Sequence, residues 1–352
     1  MQSSIGQANS PSIFSCLCDV ATGKFAPYIN EQEALAVAYP CDSNRRNVIT
    51  CKDKELDKFI NEVNGLGFDI ELSSHIMSLP RYIPVIDRNF KNLDILSNNT
   101  PIIGITLVDL LKKDFKKNIN IPYSDPKSIF RPIKINSSEV KFILFLTGED
   151  RLIETLWHSR ELIDFFSYIK KWKYLAVTGF NFSLIKGECA FSQALNLKKS
   201  LYSSYLLENN GMVTIPHVYS MTQHQLVRWI EWFSKNKRIN YFVINCQLQS
   251  DEESIQLVIE NVAKILTELP YIHVILQGFY FNKINKLIGY LNRIHFADKL
   301  PIKLAQSHYK ITENLKRIYC KDLSVEELTL TNIDARRNYI ENLFENKNVV
   351  KA

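Results

Sequence analysis

The sequence predicts an α/β protein built as a (β/α)8 TIM-like barrel over residues 81–310. An N-terminal extension over residues 1–80 packs on it, and a C-terminal helical segment follows over 311–352. Three observations carry that expectation. Eight short runs of β-branched and aromatic residues recur after residue 81, apolar on both faces as fully buried parallel strands are. Amphipathic stretches with helix-start chemistry stand between them. No two successive runs are joined by a two-residue Asn-Gly or Asp-Gly turn, and no Gly-rich phosphate fingerprint follows a run. A parallel sheet that closes on itself is therefore favoured over hairpins or an open dinucleotide-binding sheet.

The runs are YIPVID (82–87), PIIGITL (101–107), VKFILFLT (140–147), KYLAVT (173–178), MVTIPHV (212–218), NYFVINC (240–246), YIHVILQ (271–277) and PIKLAQ (301–306). After the second run, residues 107–139 hold a short amphipathic stretch and a long polar loop, read as a lid or an insertion. A helix over 151–171 places Leu152, Leu156, Ile163, Phe166 and Ile169 on one face. The next, over 190–209, ends at Asn210-Gly211, where glycine accepts the left-handed conformation. Thr222 with Gln225, and Ser250 with Glu253, form capping boxes ahead of apolar stripes. The tail after Tyr309 reads as helical and rich in alternating charge.

Bulk composition narrows the class. The chain has 352 residues, 46% hydrophobic and 23% charged, with a formal charge of +6, so it buries a large core and tolerates a phosphate-bearing partner without requiring one. No apolar stretch reaches the roughly 20 residues of a membrane helix. The N-terminal stretch has neither a basic start nor a long apolar core, so a cytoplasmic location is expected. Seven cysteines, sparse and odd in number, point to reduced thiols. Cys16, Cys18, Cys41 and Cys51 are the one metal-ligand candidate, and their spacing departs from paired C-x-x-C sites. No metal or cofactor is implied, and no P-loop, zinc-protease or serine-hydrolase motif is present.

In a barrel of this kind, function gathers where strands end. Alternation then points Asp87, Thr147, Thr178, His217, Asn245, Gln247, Gln277, Gln306 and His308 into one mouth, with Tyr309 beside them. Asp87 is suited to general acid-base work with Arg88 as its neighbour; the plainer alternative is an Asp capping the next turn. His217 could move a proton or, when charged, hold a phosphate; otherwise it is a core histidine satisfied by a carbonyl. Asn245, Gln247 and Gln277 pair donors with acceptors, as a planar heterocycle requires, or else satisfy loop backbone. His273 reads as structural at the barrel base, and Asp150 as a helix cap. Lys198 and Lys199 are expected on the outer surface of their helix.

The stretch from Val177 to Phe233 contains Asn181-Phe182-Ser183, Lys199, Gly211, the IPHVY run with His217, and Arg228-Trp229. In those features it resembles a poorly characterised family of bacterial, plasmid and phage proteins. The barrel arrangement is also distantly similar to tRNA-guanine transglycosylases. These resemblances imply a substrate containing a nucleobase, add Asn181 to the substrate-binding set, and suggest chemistry at a glycosidic bond. The chain lacks the zinc cluster of the transglycosylases and an aspartate closing the VINCQLQ or VILQGFY strands. The expected function is thus a barrel enzyme acting on a nucleotide or nucleic acid, with a non-catalytic scaffold for nucleic acid or protein as the alternative.

Overall fold

The structure, a computed structural model, describes residues 59–76, 78–87, 90, 101–110, 140–158, 162–185, 190–247, 249 and 251–350. Eight strands form two four-stranded sheets. In one, β1 (Tyr82–Pro84) lies beside β8 (Ile294–Asp298), then β7 (His273–Gln277) and β6 (Tyr241–Asn245). In the other, β2 (Ile102–Thr106), β3 (Lys141–Phe145), β4 (Ala176–Thr178) and β5 (Thr214–Ile215) follow in order. Every pairing among these eight is parallel. The sheets also meet at both edges, where parallel bridges join Val85 to Gly104 and His217 to Val243. At these seams the Ile86 amide donates to the Gly104 carbonyl and the Val243 amide to the Pro216 carbonyl, each at 3.0 Å.

Helical segments separate the strands. They are α1 (Leu107–Leu110), α2 (Asp150–Trp157), α3 (Leu162–Lys170), α4 (Ala190–Asn209), α5 (Gln223–Lys235), α6 (Glu252–Glu268), a 3-10 helix (Phe281–Arg293) and α7 (Leu300–Gln306). An antiparallel pair, β9 (Tyr309–Ile311) and β10 (Arg317–Tyr319), then leads into α8 (Val325–Val350).

Strand side chains alternate between two cores. Ile83, Ile102, Ile143, Ala176, Ile215, Val243, Ile275 and Ala297, one from each of the eight strands, share a single inner cluster. Their neighbours Ile103, Leu144, Val177, Phe242, Leu276 and Phe296 join the larger core beneath the helices. Burial on both faces is why these runs are continuously apolar. The inner cluster is tightly filled: a Cβ on Gly104 would stand 2.7 Å from the Phe145 ring and 2.8 Å from Val85. Gly179, at the end of β4, serves a different approach, since a Cβ there would lie 2.5 Å from Ser204 Oγ and 2.9 Å from the Ser200 carbonyl. The small buried face of α4 at Ser200, Ser203 and Ser204 lets this strand end sit close.

The segment before β1 is strapped to the outer helices by side chains that satisfy its backbone. Trp232 Nε1 donates to the Ile70 carbonyl, Asn236 accepts from the Leu72 amide, and Glu208 accepts from both Ser73 and Ser74. Ile76 and Leu79 then join the inner cluster with Tyr241, at the N-terminal ends of the strands. His295 Nδ1 lies 2.9 Å from the Pro80 carbonyl, and His273 Nδ1 lies 3.0 Å from His295 Nε2.

Several expectations need correction. PIKLAQ is helix α7, with a proline in its first turn and Ile302, Leu304 and Ala305 buried; the eighth strand is IHFAD, Ile294–Asp298. Gln306, His308 and Tyr309 therefore do not end a strand. The expected helix over 151–171 is two helices, α2 and α3. Residues 309–319 form a hairpin before the tail becomes helical. Lys198 and Lys199 are buried, their ammonium groups paired with Asp69 and Glu154 at 3.3 and 3.1 Å. Arg88, Ser250, most of 107–139 and the four N-terminal cysteines lie outside the described residues. The Asn210-Gly211 stop holds, with Gly211 at φ +79° and its amide donating to the Glu208 carbonyl. Thr222 caps α5 as expected, though the Gln225 side chain accepts from the Met221 amide. Asp251 caps α6.

Candidate functional site

Each strand that feeds the inner cluster ends, in the same phase, on a polar side chain. The set is Asp87, Thr106, Thr147, Thr178, His217, Asn245 and Gln277, none more than 7% exposed, with Lys299 two residues beyond Ala297. One contact links the two sheets across this level: Gln277 Nε2 of β7 donates to Thr147 Oγ1, beyond the end of β3, at 3.2 Å. It separates two groups of residues.

The first group surrounds the ends of β1, β2 and β8. Thr106 Oγ1 donates to Asp109 at 2.6 Å, and Lys299 Nζ reaches both oxygens of that carboxylate at 2.9 and 3.0 Å. Gln306, although helical, still reaches this place, its Nε2 donating to Asp87 at 3.0 Å. His308 adopts φ +58° at the turn that follows, and Tyr309 stands 37% exposed on the hairpin, turned to the Tyr319 ring.

The second group lies over β4, β5 and β6. Thr178 Oγ1 accepts from the Leu146 amide, and Asn245 Oδ1 accepts from the Gln247 amide, while the Gln247 side chain is exposed. The Tyr219 hydroxyl accepts from the Asn245 amide and donates to its carbonyl, both at 3.1 Å, and burial pushes its pKa well up. His217 stacks parallel to Tyr219 with centroids 6.2 Å apart. It is wholly buried, and neither ring nitrogen has a partner among the described residues. Burial pushes its pKa down to about 3, so at neutral pH it is an uncharged imidazole and not the phosphate-binding cation considered from sequence. Gln277 Oε1 is likewise buried without a partner among the described residues.

A cavity of about 330 Å³ opens in this second group. It is walled by Ile244, Leu257 and Val258 on its apolar side and by Asn181, Tyr219, Ser220, Asn245 and Gln249 on its polar side. Asn181 Oδ1, Ser220 Oγ and Gln249 Oε1 are buried there without partners among the described residues. Asp150 lines the edge, its carboxylate accepting from Ser183 Oγ at 2.6 Å. Glu149 holds the cap position of α2, without a side-chain cap, so Asp150 is not the helix cap that sequence suggested.

Asn181 and Asn245 thus come together with Tyr219, while Asp87 belongs to the other group. Sequence reasoning missed Thr106 and Lys299, whose phase depends on correct strand ends, and Asp150, Tyr219 and Ser220, which reach the cavity from loops. His273 is at the opposite ends of the strands, as expected. No described helix is long and apolar enough to cross a membrane. No known protein-family profile matches this chain, and neither does any curated protein.

Proposed function

We propose that the eight strands close into one (β/α)8 barrel and that the chain acts on a nucleobase-containing substrate held at the C-terminal ends of β4 to β6. Closure is supported by the two seam bridges and by the inner cluster to which all eight strands contribute. The ligand reading rests on one observation: Asn181 Oδ1 and Ser220 Oγ are buried, unsatisfied among the described residues, and line the same cavity. A buried polar atom without a partner costs about 1–3 kcal/mol, and a ligand that supplies the partner recovers it. About 330 Å³ is at the small end of ligand pockets, suited to one heterocycle with its sugar and too small for a dinucleotide. Apolar walls and amide edges are what a planar base asks for.

If a glycosidic bond is cleaved or exchanged, Asp150 is the carboxylate placed to transfer the proton, since it lines the cavity and Asp87 does not. The distant likeness to transglycosylases accords with that chemistry. The alternative, a non-catalytic scaffold for nucleic acid or protein, is favoured by the hairpin, where Ile318 and Tyr319 are each 54% exposed beside Arg317 and Lys321.

Calorimetric titration of nucleosides into the wild-type chain and Asn181→Leu tests the site. The substitution should weaken binding at least tenfold, about 1.4 kcal/mol. Asp150→Asn should leave binding in place and stop release of free base, followed by chromatography. Nucleoside binding unaffected by Asn181→Leu would remove the cavity from the proposal. Unchanged base release by Asp150→Asn would remove the carboxylate's role.

A further inference from the structure

The polar lining of the cavity over β4 to β6 is one-sided. Three buried side-chain oxygens, Asn181 Oδ1, Ser220 Oγ and Gln249 Oε1, have no partner among the described residues, and the Asp150 carboxylate stands at the edge. Among the described residues lining the cavity there is no lysine, arginine or histidine. Amide and carboxylate oxygens only accept hydrogen bonds; a serine hydroxyl does either. An acceptor-rich wall leaves a carbonyl edge facing lone pairs and leaves a phosphate beside a carboxylate with no cation to offset it.

We infer that this pocket selects a base bearing an exocyclic amino group, as cytosine, adenine and guanine do and uracil and hypoxanthine do not, and that any phosphate of the ligand stays outside it. The inference deepens the nucleobase reading above and rests on it. Asn181 is the reader of the amino group, because its acceptor is the one fixed on the strand side, just beyond β4. The Asn181 amide donates to the Leu146 carbonyl, which holds its backbone beside the end of β3. Its residue is 4% exposed, so water cannot stand in freely for the missing donor. Tyr219 supplies a flat wall whose hydroxyl is already engaged twice by the Asn245 backbone and does not compete for the ligand.

Titrations followed by calorimetry, with cytidine against uridine and adenosine against inosine, read the selectivity directly. Cytidine 5′-monophosphate reads the phosphate. Benzylamine against benzoate reads the donor preference without a base. Cytidine and adenosine should bind about tenfold or more tightly than their amino-free counterparts, and the 5′-phosphate should give no gain. Asn181→Leu should erase the difference, whereas Asn181→Asp, which keeps an acceptor in place, should retain it; melting curves show whether each variant is folded. Equal binding of cytidine and uridine, or tighter binding of the phosphate, overturns the inference and leaves the nucleobase reading standing. Benzylamine binding through Asn181 with no nucleoside bound overturns both as stated, leaving only a site for an amine. Binding of none of these probes overturns both outright.

Discussion

His217 places a neutral, wholly buried ring in contact with Tyr219 and gives neither nitrogen a partner among the described residues. Such a group lowers stability, so His217→Leu should raise the unfolding free energy by about 1–3 kcal/mol while disturbing the Tyr219 wall of the cavity. Urea unfolding checks this, and a fall in stability would mean the nitrogens are satisfied after all. His295 makes a separate prediction at the other ends of the strands. Burial pushes its pKa down to about 4 from the ordinary 6.5, and the neighbouring His273 is lowered too, again by burial first. The folded state therefore favours neutral rings. Their contribution is fully present above about pH 6.5 and is lost as pH falls toward 4, by about 3 kcal/mol for His295. His295→Gln should flatten stability against pH across that window; an unchanged slope would contradict it. At this scale the sequence disclosed identity and phase, which is why Asp87, Thr178, Asn245 and Gln277 could be placed at strand ends. It did not disclose environment. Lys198 looks like a surface lysine until α4 is packed under Gly67 and Asp69, and burial then lowers its pKa.

Elements with continuous burial were legible, and elements whose burial is set by a partner were not. β3, β6 and β7 were readable because both faces are covered and their runs are apolar throughout. IHFAD escaped notice because its polar members are spoken for by distant groups: His295 by Pro80 and His273, and Asp298 by the Arg336 guanidinium at 2.7 Å. α7 was mistaken for a strand because a seven-residue helix packed on α8 buries nearly as many positions as a strand does; its early proline was the available signal. Within β2 the sequence shows only a glycine among isoleucines. The packing shows why, and Gly104→Ala should lower stability by about 1–3 kcal/mol through overpacking against Phe145 and Val85. Chemical denaturation measures that cost. A neutral substitution would mean that the inner cluster has room to spare.

Across the whole molecule, parallel order and strand-helix alternation followed from the spacing of apolar runs, whereas the meeting of the two sheets depends on a few bridging residues that no local pattern marks. Closure makes the seams as durable as the sheets. The Ile86 and Val243 amides, which donate across the two seams, should be protected from hydrogen exchange as strongly as amides inside β3 and β7. Fast exchange at either seam would indicate an open sheet. Closure also matters to function, because it gathers Asn181, Ser220 and Asn245 from the ends of three successive strands around one cavity. The most direct test is a crystal structure of the protein with cytidine or adenosine bound. The proposed site requires the base to lie between Tyr219 and the apolar wall at Ile244 and Val258, its amino group within hydrogen-bonding distance of Asn181 Oδ1. A base bound elsewhere, or an empty cavity at saturating nucleoside, would contradict it.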